Sequence, residues 1–310
     1  RVLVMTARAA DAVMKTLRAD ALDELGELHR LTQNMDQAEA HLTESLHLRE
    51  TVDSGWSIGA AYRAWIWANL LRDRGDLDRA RVEYDRALEG ASAVGDEFLE
   101  QDIINDQSWL AYLAGDDAEA ELLLGRQGRI LNARGFHAGY ATYHHGWHHL
   151  LMRQGAYDKA WAHLADALTS AIQVSHMYML VDCLWHDAVR GLHQNDADII
   201  LASIAELDRL ASIGCRFDGF RGRARMSLGD LYWRTDTARA FDEWFTGLRI
   251  VTDYGDSRRY EHSIADMIRE RADMLAVCLM KPDHRQLWLK FWRRASTSKA
   301  TKAVALELVK

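Results

Sequence analysis

The sequence has almost no proline, little cysteine and no long apolar run. Its 310 residues include one proline, Pro282, and three cysteines, Cys183, Cys215 and Cys278. Because proline breaks helices, its near absence permits helices along almost the whole chain. The cysteines are odd in number and far apart, so neither a disulfide framework nor a cysteine-based zinc site is indicated.

No apolar stretch approaches the roughly 20 residues that a membrane span requires, and no signal-peptide pattern opens the chain. We therefore expect a cytoplasmic protein with no membrane role. The formal net charge is -8, and phosphate binding needs a basic surface, so we expect no nucleic-acid binding by this segment. Because Arg1 lies within an apparent helix, we expect that a longer polypeptide contains this chain.

The common catalytic and nucleotide-binding motifs are also missing from the sequence. It has no P-loop, no Gly-x-Gly-x-x-Gly, no His-Glu-x-x-His and no Gly-x-Ser-x-Gly. The sequence therefore predicts no cofactor, no metal site and no enzyme activity.

What the sequence does contain is a repeat. Turn glycines recur at intervals of 39 to 41 residues, and Ser175 stands where one of them is missing. A second, weaker set of turns lies between them. Each unit of about 40 residues is therefore predicted to be a helix, a short turn, a second helix and a longer turn. The first set of turns contains Gly55, Gly95, Gly135, Gly214 and Gly255, and the second contains Gly75, Gly115, Gly155 and Asn195.

The second helix of most units carries a small residue followed four positions later by a large one. A small residue lets two helices approach closely, and the large one fills the space beside it. We expect these pairs in the core, together with Trp67, Trp147, Trp161 and Trp244. The pairs are Ala38 and Leu42, Ala80 and Tyr84, Ala120 and Leu124, Ala160 and Leu164, and Ala240 and Trp244.

This pattern resembles the tetratricopeptide repeat. The matching residues are Leu22, Leu25, Gly26, Ala38 and Leu42 in the first unit, and Trp67, Leu71, Ala80, Tyr84 and Ala87 in the second. The family's terminal proline is absent, and the period exceeds the usual ~34 residues. The resemblance implies an all-α fold, a right-handed α-solenoid of about 6–7 helical hairpins.

The predicted domain organisation has three parts. Residues 1–19 form an N-terminal helix that continues from a preceding region, and residues 20–280 form the superhelix. Residues 281–310 form basic helices, with Leu287, Trp288, Phe291 and Trp292 beside Lys290 and Arg293. That segment could touch an acidic partner or a membrane surface, but repeat arrays need their open end covered, so we favour a capping role.

Repeats of this length resemble the sensor portions of bacterial signal-transduction (STAND-type) ATPases and of regulators similar to the maltose-regulon activator. The resemblance implies a sensor within a larger regulatory protein. Its effector or ATPase domain would be covalently linked and lie outside this chain.

First helices line the concave side of tetratricopeptide superhelices, which implies a groove on that side. There, aromatic rings mixed with amides, imidazoles and charges are typical of ligand sites. We call this set the predicted binding face and expect it to bind a peptide, a protein or a small molecule. Ordinary solvated or inter-repeat contacts are the alternative. Its members are Tyr62, Trp65, Asn69, Arg72, Asp102, Asn105, Trp109, Tyr112, His145, His149, Asp182, Trp185, Arg225, Tyr232 and Arg269.

Histidines are concentrated in one predicted helix. His144 and His148, and likewise His145 and His149, are four residues apart and could hold a divalent metal, but a third ligand and a catalytic glutamate are missing from the motif. We expect the first pair to face the interior and the second to face the groove. Ligand contacts, a pH response and plain packing all remain open for these residues.

Three functions remain in order of preference. The first is a non-catalytic recognition module, the second is a passive scaffold that joins proteins through its other surfaces, and the third is a histidine-dependent metalloenzyme. Two acid pairs could suggest metal or acid–base chemistry, but Asp116 and Asp117 lie in a turn, where aspartate caps the next helix. The second pair, Asp102 and Asp106, fits a groove that binds basic or hydroxyl-rich partners.

Overall fold

A computed structural model describes residues 2–31, 34–52, 55–215, 217–254 and 268–271, together with residues 274, 286, 289 and 293. The described residues form helices and short connections, without a β-strand. The longer helices are α1 (Val2–Leu31), α2 (Met35–Glu50), α3 (Ile58–Asp73), α4 (Leu77–Val94), α5 (Glu97–Ala114), α6 (Asp117–Arg134), α7 (Gly139–Arg153), α8 (Tyr157–Gln173), α9 (Met177–Gln194), α10 (Ala197–Ser212), α11 (Asp218–Tyr232) and α12 (Thr237–Tyr254).

The predicted turns coincide with residues in the left-handed backbone conformation. From residue 75 to residue 214 these residues recur every 19 or 20 positions: Gly75, Gly95, Gly115, Gly135, Gly155, Ser175, Asn195 and Gly214. Glycine suits such positions because it has no Cβ, and asparagine is the next most tolerant residue. The helical repeat predicted from these turns is confirmed. Gly255 lies outside the described residues, and Gly55 lies in a bend without a positive φ.

Aspartates begin the helices that follow these turns. The side chains of Asp76, Asp96 and Asp116 each accept a hydrogen bond from the backbone N–H three residues later. Such caps satisfy backbone donors that the helix leaves unpaired. The capping role predicted for Asp116 is therefore confirmed, while Asp117 pairs with Arg153 of α7.

The small and large pairs of the second helices lie in the core as predicted, each with 2% exposure or less. Glycines complete some of these contacts: a Cβ on Gly26 would lie 2.7 Å from Leu42 Cδ2, and a Cβ on Gly229 would lie 2.3 Å from Trp244 Cδ1. Trp244 is fully buried as predicted. Trp67, Trp147 and Trp161 are only partly buried, in contrast to the prediction that they lie in the core.

The chain divides into two compact units, residues 1–163 and residues 164–310, with the division inside α8. In the first unit α3 contacts α1 and α5, and α5 contacts α7, so the first helices of successive hairpins are direct neighbours. Each second helix packs between its own first helix and the next one, as α4 does between α3 and α5. In the second unit α9 contacts both α10 and α11, and α11 packs on α12.

The predicted three-part domain organisation stays a prediction, since most of residues 281–310 and all of the aromatic cluster near Trp288 lie outside the described residues. None of the described helices combines the length and the apolar character needed to cross a bilayer.

Candidate binding face

In the first unit, α3 and α5 are joined by a buried charge network. The indole Nε1 of Trp65 donates a hydrogen bond to Asp106 Oδ2 at 2.7 Å, and Arg72 Nη1 donates to Asp106 Oδ1 at 3.0 Å. Arg72 also donates to Asp73 Oδ1 and to the Tyr84 hydroxyl, both at 2.9 Å. The carboxylates around it raise the pKa of Arg72, although burial opposes this. The structure therefore brings Trp65 and Arg72 together as predicted, but the guanidinium of Arg72 is ion-paired within the protein.

Asn69 lies in the interior rather than on an open face. Its side chain is 3% exposed, and its carboxamide oxygen accepts a 2.6 Å hydrogen bond from the Tyr84 hydroxyl. The sequence pattern predicted exposure because Asn69 is one turn from Trp65. The second helix of the same hairpin covers it instead.

Next along the stack, rings from α5 and α7 form an aromatic cluster. Trp109 and Tyr112 stack with ring centroids 5.0 Å apart, and His149 meets Trp109 edge-on at 5.0 Å. The guanidinium of Arg153 lies 3.8 Å from the centroid of Tyr112, within the range of a cation–π contact. All three predicted rings are partly exposed and lie side by side, so this part of the predicted face is contiguous.

Tyr62, Asp102 and Asn105 are also partly exposed in the first unit. The rings of Tyr62 and Trp65 have centroids 5.6 Å apart. Burial, reinforced by the nearby Asp106 carboxylate, raises the pKa of Asp102 to about 7. The Asn105 side chain has no hydrogen-bond partner among the described residues, which leaves the amide NH2 group and the carbonyl oxygen open on this face.

Two of the histidines of α7 contact α8. His148 is 1% exposed, and its Nδ1 lies 3.0 Å from the Ala160 carbonyl oxygen, while the Nδ1 atoms of His144 and His163 are 2.9 Å apart. His145 and His149 lie on the other side of the helix with ring centroids 4.5 Å apart. Burial lowers the pKa of His145 to about 3 and that of His148 to about 4. These two imidazoles are therefore neutral near pH 7.

In the second unit, the predicted residues Asp182 and Trp185 contact other side chains of the protein. Burial raises the pKa of Asp182 to about 7. An oxygen of Asp182 lies 3.7 Å from Nε2 of His186, and the rings of His186 and Trp185 are 4.4 Å apart. The guanidinium of Arg223 lies over Trp185, 5.1 Å from its centroid. Asp182 and Trp185 thus belong to one cluster, although Asp182 is buried rather than open.

The other predicted residues of the second unit are Arg225, Tyr232 and Arg269. Arg225 pairs with Asp208 at 3.1 Å and with Glu243 at 3.3 Å, so its charge is neutralised. Tyr232 lies 3.9 Å under the guanidinium of Arg239. Arg269 is exposed in a short described segment.

The second unit also has an opening of about 360 Å³ that the sequence did not predict. Its polar groups are largely engaged within the protein: Asp230, for example, accepts hydrogen bonds from Trp244 and Arg271. The residues that line it are Leu192, Asn195, Asp230, Leu231, Trp233, Arg234 and Met274.

Sequence reasoning missed several residues that shape the face of the first unit. Arg153 covers Tyr112, and the buried amides of Gln101 and Gln127 lie behind Asp102. The two glutamines gave one detectable signal, because they occupy core positions where the helical period calls for apolar residues.

Comparisons with known proteins give structural relatives only. No protein-family model matches the sequence, and no curated protein matches it. Among solved structures, the apo form of the quorum sensor NprR from B. thuringiensis is 15% identical, with a TM-score of 0.55 over 93% of this chain and 79% of that chain. NprR in complex with its cognate peptide NprX is 16% identical, with a TM-score of 0.53 over 93% of this chain and 81% of that chain.

BtubC from P. vanneervenii is 15% identical, with a TM-score of 0.53 over 77% of this chain and 92% of that chain. At these identities the similarity shows the fold. Together with the repeat, it shows that this chain is an all-α solenoid protein of tetratricopeptide-like helical hairpins. The implied link to signal-transduction ATPases and to the maltose-regulon activators stays a prediction.

Proposed function

We propose that this protein is a non-catalytic recognition module that binds an extended peptide, or a peptide segment of a protein, on the face formed by α3, α5 and α7. The observation that carries the proposal is the row of partly exposed groups on three neighbouring first helices: Trp65 on α3, Asp102, Asn105, Trp109 and Tyr112 on α5, and His149 on α7. Large rings supply contact area with little loss of side-chain entropy, and amides and carboxylates fix the orientation of a ligand.

Two further facts support a peptide rather than a compact small molecule. The groups follow successive helices instead of closing around one cavity, which suits a ligand that extends along the stack. NprR, which shares the fold, has been solved in complex with a peptide. We also propose that the module is the sensor part of a larger regulatory protein.

The experiment is a binding screen with mixed pools of short random peptides. The peptides are acetylated and amidated at their ends and passed over the immobilised full chain, and the retained peptides are counted by mass spectrometry. The site variant is Asn105→Ala, which removes an amide that makes no hydrogen bond to a described residue and so should leave the melting temperature unchanged. The matched control is Asn132→Ala on α6, whose exposed amide accepts only a surface hydrogen bond from Tyr140.

We expect the wild-type chain and Asn132→Ala to retain the same peptides. Asn105→Ala should retain about tenfold less, because a peptide backbone group that loses its hydrogen bond to the Asn105 amide costs about that much affinity. Equal retention by all three proteins would contradict the proposed face. No retention by any of them, with partners captured through other surfaces, would favour the passive scaffold.

A further inference from the structure

Most charged side chains on the proposed face of the first unit form ion pairs with other described residues. Arg72 is paired with Asp73 and Asp106, and Arg153 is paired with Asp117. Asp102 has no cationic partner among the described residues. Its hydrogen bond comes from the neutral side-chain amide of Gln101. Asp102 is therefore a carboxylate of this face without a cationic partner in the part of the chain that the structure describes.

Asp102 is held from behind by buried amides. Gln127 Nε2 donates to Gln101 Oε1 at 3.2 Å, and Gln101 Nε2 donates to Asp102 Oδ1. Both glutamines are 0% exposed, and the Oε1 of Gln127 has no partner among the described residues. Burying amides costs free energy unless all of their polar atoms are satisfied. The core therefore tolerates an unfavourable arrangement whose effect is to orient one surface carboxylate.

The backbone of α7 packs closely against this pair of amides. A Cβ on Gly139 would lie 2.6 Å from Gln101 Oε1 and 2.5 Å from Leu131 Cδ2. A larger residue at position 139 would displace Gln101. Gln101, Gln127 and Gly139 thus fit together closely and hold Asp102 in place.

Aromatic rings lie on the same helix face as the carboxylate. Trp109 follows Asp102 by two helical turns, and Trp65 bonds to Asp106, one turn from Asp102. Ring faces attract cations, and an ion pair that is partly removed from water is stronger than one on an open surface.

We propose that Asp102 anchors a basic side chain, a guanidinium or an ammonium group, of the bound peptide. The inference rests on the proposed function and specifies its ligand class. Gln101 and Gln127 act as positioning residues, since they hold the carboxylate without touching the ligand.

The test uses three pools of short peptides with random neutral residues and one fixed residue: arginine, lysine, or citrulline, the neutral isostere of arginine. All termini are acetylated or amidated, so that only the fixed residue differs in charge. Retention on the full chain is measured for the wild type, for Asp102→Asn and for Glu121→Gln. The last variant also removes one negative charge, but from the exposed side of α6.

We expect the wild type and Glu121→Gln to retain the arginine and lysine pools about tenfold more strongly than the citrulline pool. Asp102→Asn should retain all three pools equally. If the preference for basic peptides persists in Asp102→Asn, or falls equally in Glu121→Gln, the preference reflects overall charge and the inference is wrong.

Retention of all three pools without preference by the wild type would overturn the inference but leave the proposed function standing. Retention of none would overturn both. Gln101→Leu is a second test. It keeps Asp102 but should reduce the preference for the arginine and lysine pools about threefold, because the carboxylate loses its fixed orientation.

Discussion

At the scale of single residues, Asp102 is a carboxylate that the folded protein holds at a cost in stability. Burial and Asp106 raise its pKa from 3.8 to about 7. A group whose pKa is raised on folding stabilises the fold below its unfolded pKa, and this contribution is lost as the pH rises through the folded pKa. The window here runs from about pH 4 to pH 7.

Asp102→Asn should therefore make the protein more stable at pH 8, where the wild-type side chain is ionised. We expect the free energy of unfolding to rise by roughly 1–2 kcal/mol, allowing for partial exposure of the group. At pH 4 the two proteins should have equal stability. Urea denaturation at both pH values measures the difference, and Glu121→Gln should show no gain at either pH. A loss of stability at pH 8 would mean that the ionised carboxylate is stabilised by its surroundings.

His148 should give the opposite pH dependence of stability. Burial lowers its pKa from 6.5 to about 4, so its contribution to stability is present above pH 6.5 and is lost as the pH falls towards 4. Asparagine can keep the hydrogen bond to the Ala160 carbonyl but cannot take up a proton. Between pH 7 and pH 5, the wild type should lose about 1–2 kcal/mol more stability than His148→Asn.

The control for this prediction is His47→Asn, at an exposed position on α2. It should show the same pH dependence as the wild type in thermal melts. If His148→Asn also follows the wild type, the acid sensitivity of the protein arises from other groups.

At the scale of the helices, the hairpin of α11 and α12 depends on contact between two backbones. A Cβ on Gly222 would lie 2.9 Å from the Gly247 carbonyl oxygen and 2.4 Å from Val251 Cγ2. Side chains can rotate away from such a contact, but the backbone of a packed helix cannot. The two glycines therefore set the distance between the helices.

Gly222→Ala should lower the free energy of unfolding by about 1–3 kcal/mol, the usual cost of overpacking, despite the better helix propensity of alanine. Gly125→Ala is the matched control, because a Cβ there has only Arg129 Nη1 nearby, at 3.8 Å. That variant should gain about 0.5–1 kcal/mol from helix propensity. Chemical denaturation compares the two, and equal effects would show that α11 and α12 can move apart freely.

The elements themselves were predictable because their signals are local. A left-handed residue after a helix and an aspartate before the next one fix helix ends within a few positions, as at Gly95, Asp96, Gly115 and Asp116. The partial exposure of Trp67 was not predictable, because it depends on how completely residues distant in sequence cover the ring.

At the scale of the whole molecule, the formal net charge of -8 leads to a prediction about partners. Nucleic acids should be repelled, and basic peptides should be attracted at a distance. We expect a fluorescently labelled DNA duplex to bind at physiological salt no more tightly than about 0.1 mM, the weak limit of nonspecific binding. Fluorescence anisotropy tests this expectation. Binding that tightens to the micromolar range at low salt would reveal a local basic surface that outweighs the net charge.

The sequence by itself determined the repeat, the helix ends and the packing pairs, because these depend on neighbours a few residues away. Only the tertiary structure decided which polar side chains remain open, because their partners are distant in sequence. Trp65 bonds to a residue 41 positions later, and Arg72 to one 34 positions later. Such contacts pair Arg72 and Arg225 with carboxylates and bury Asn69 against Tyr84. Asp102 has no cationic partner among the described residues.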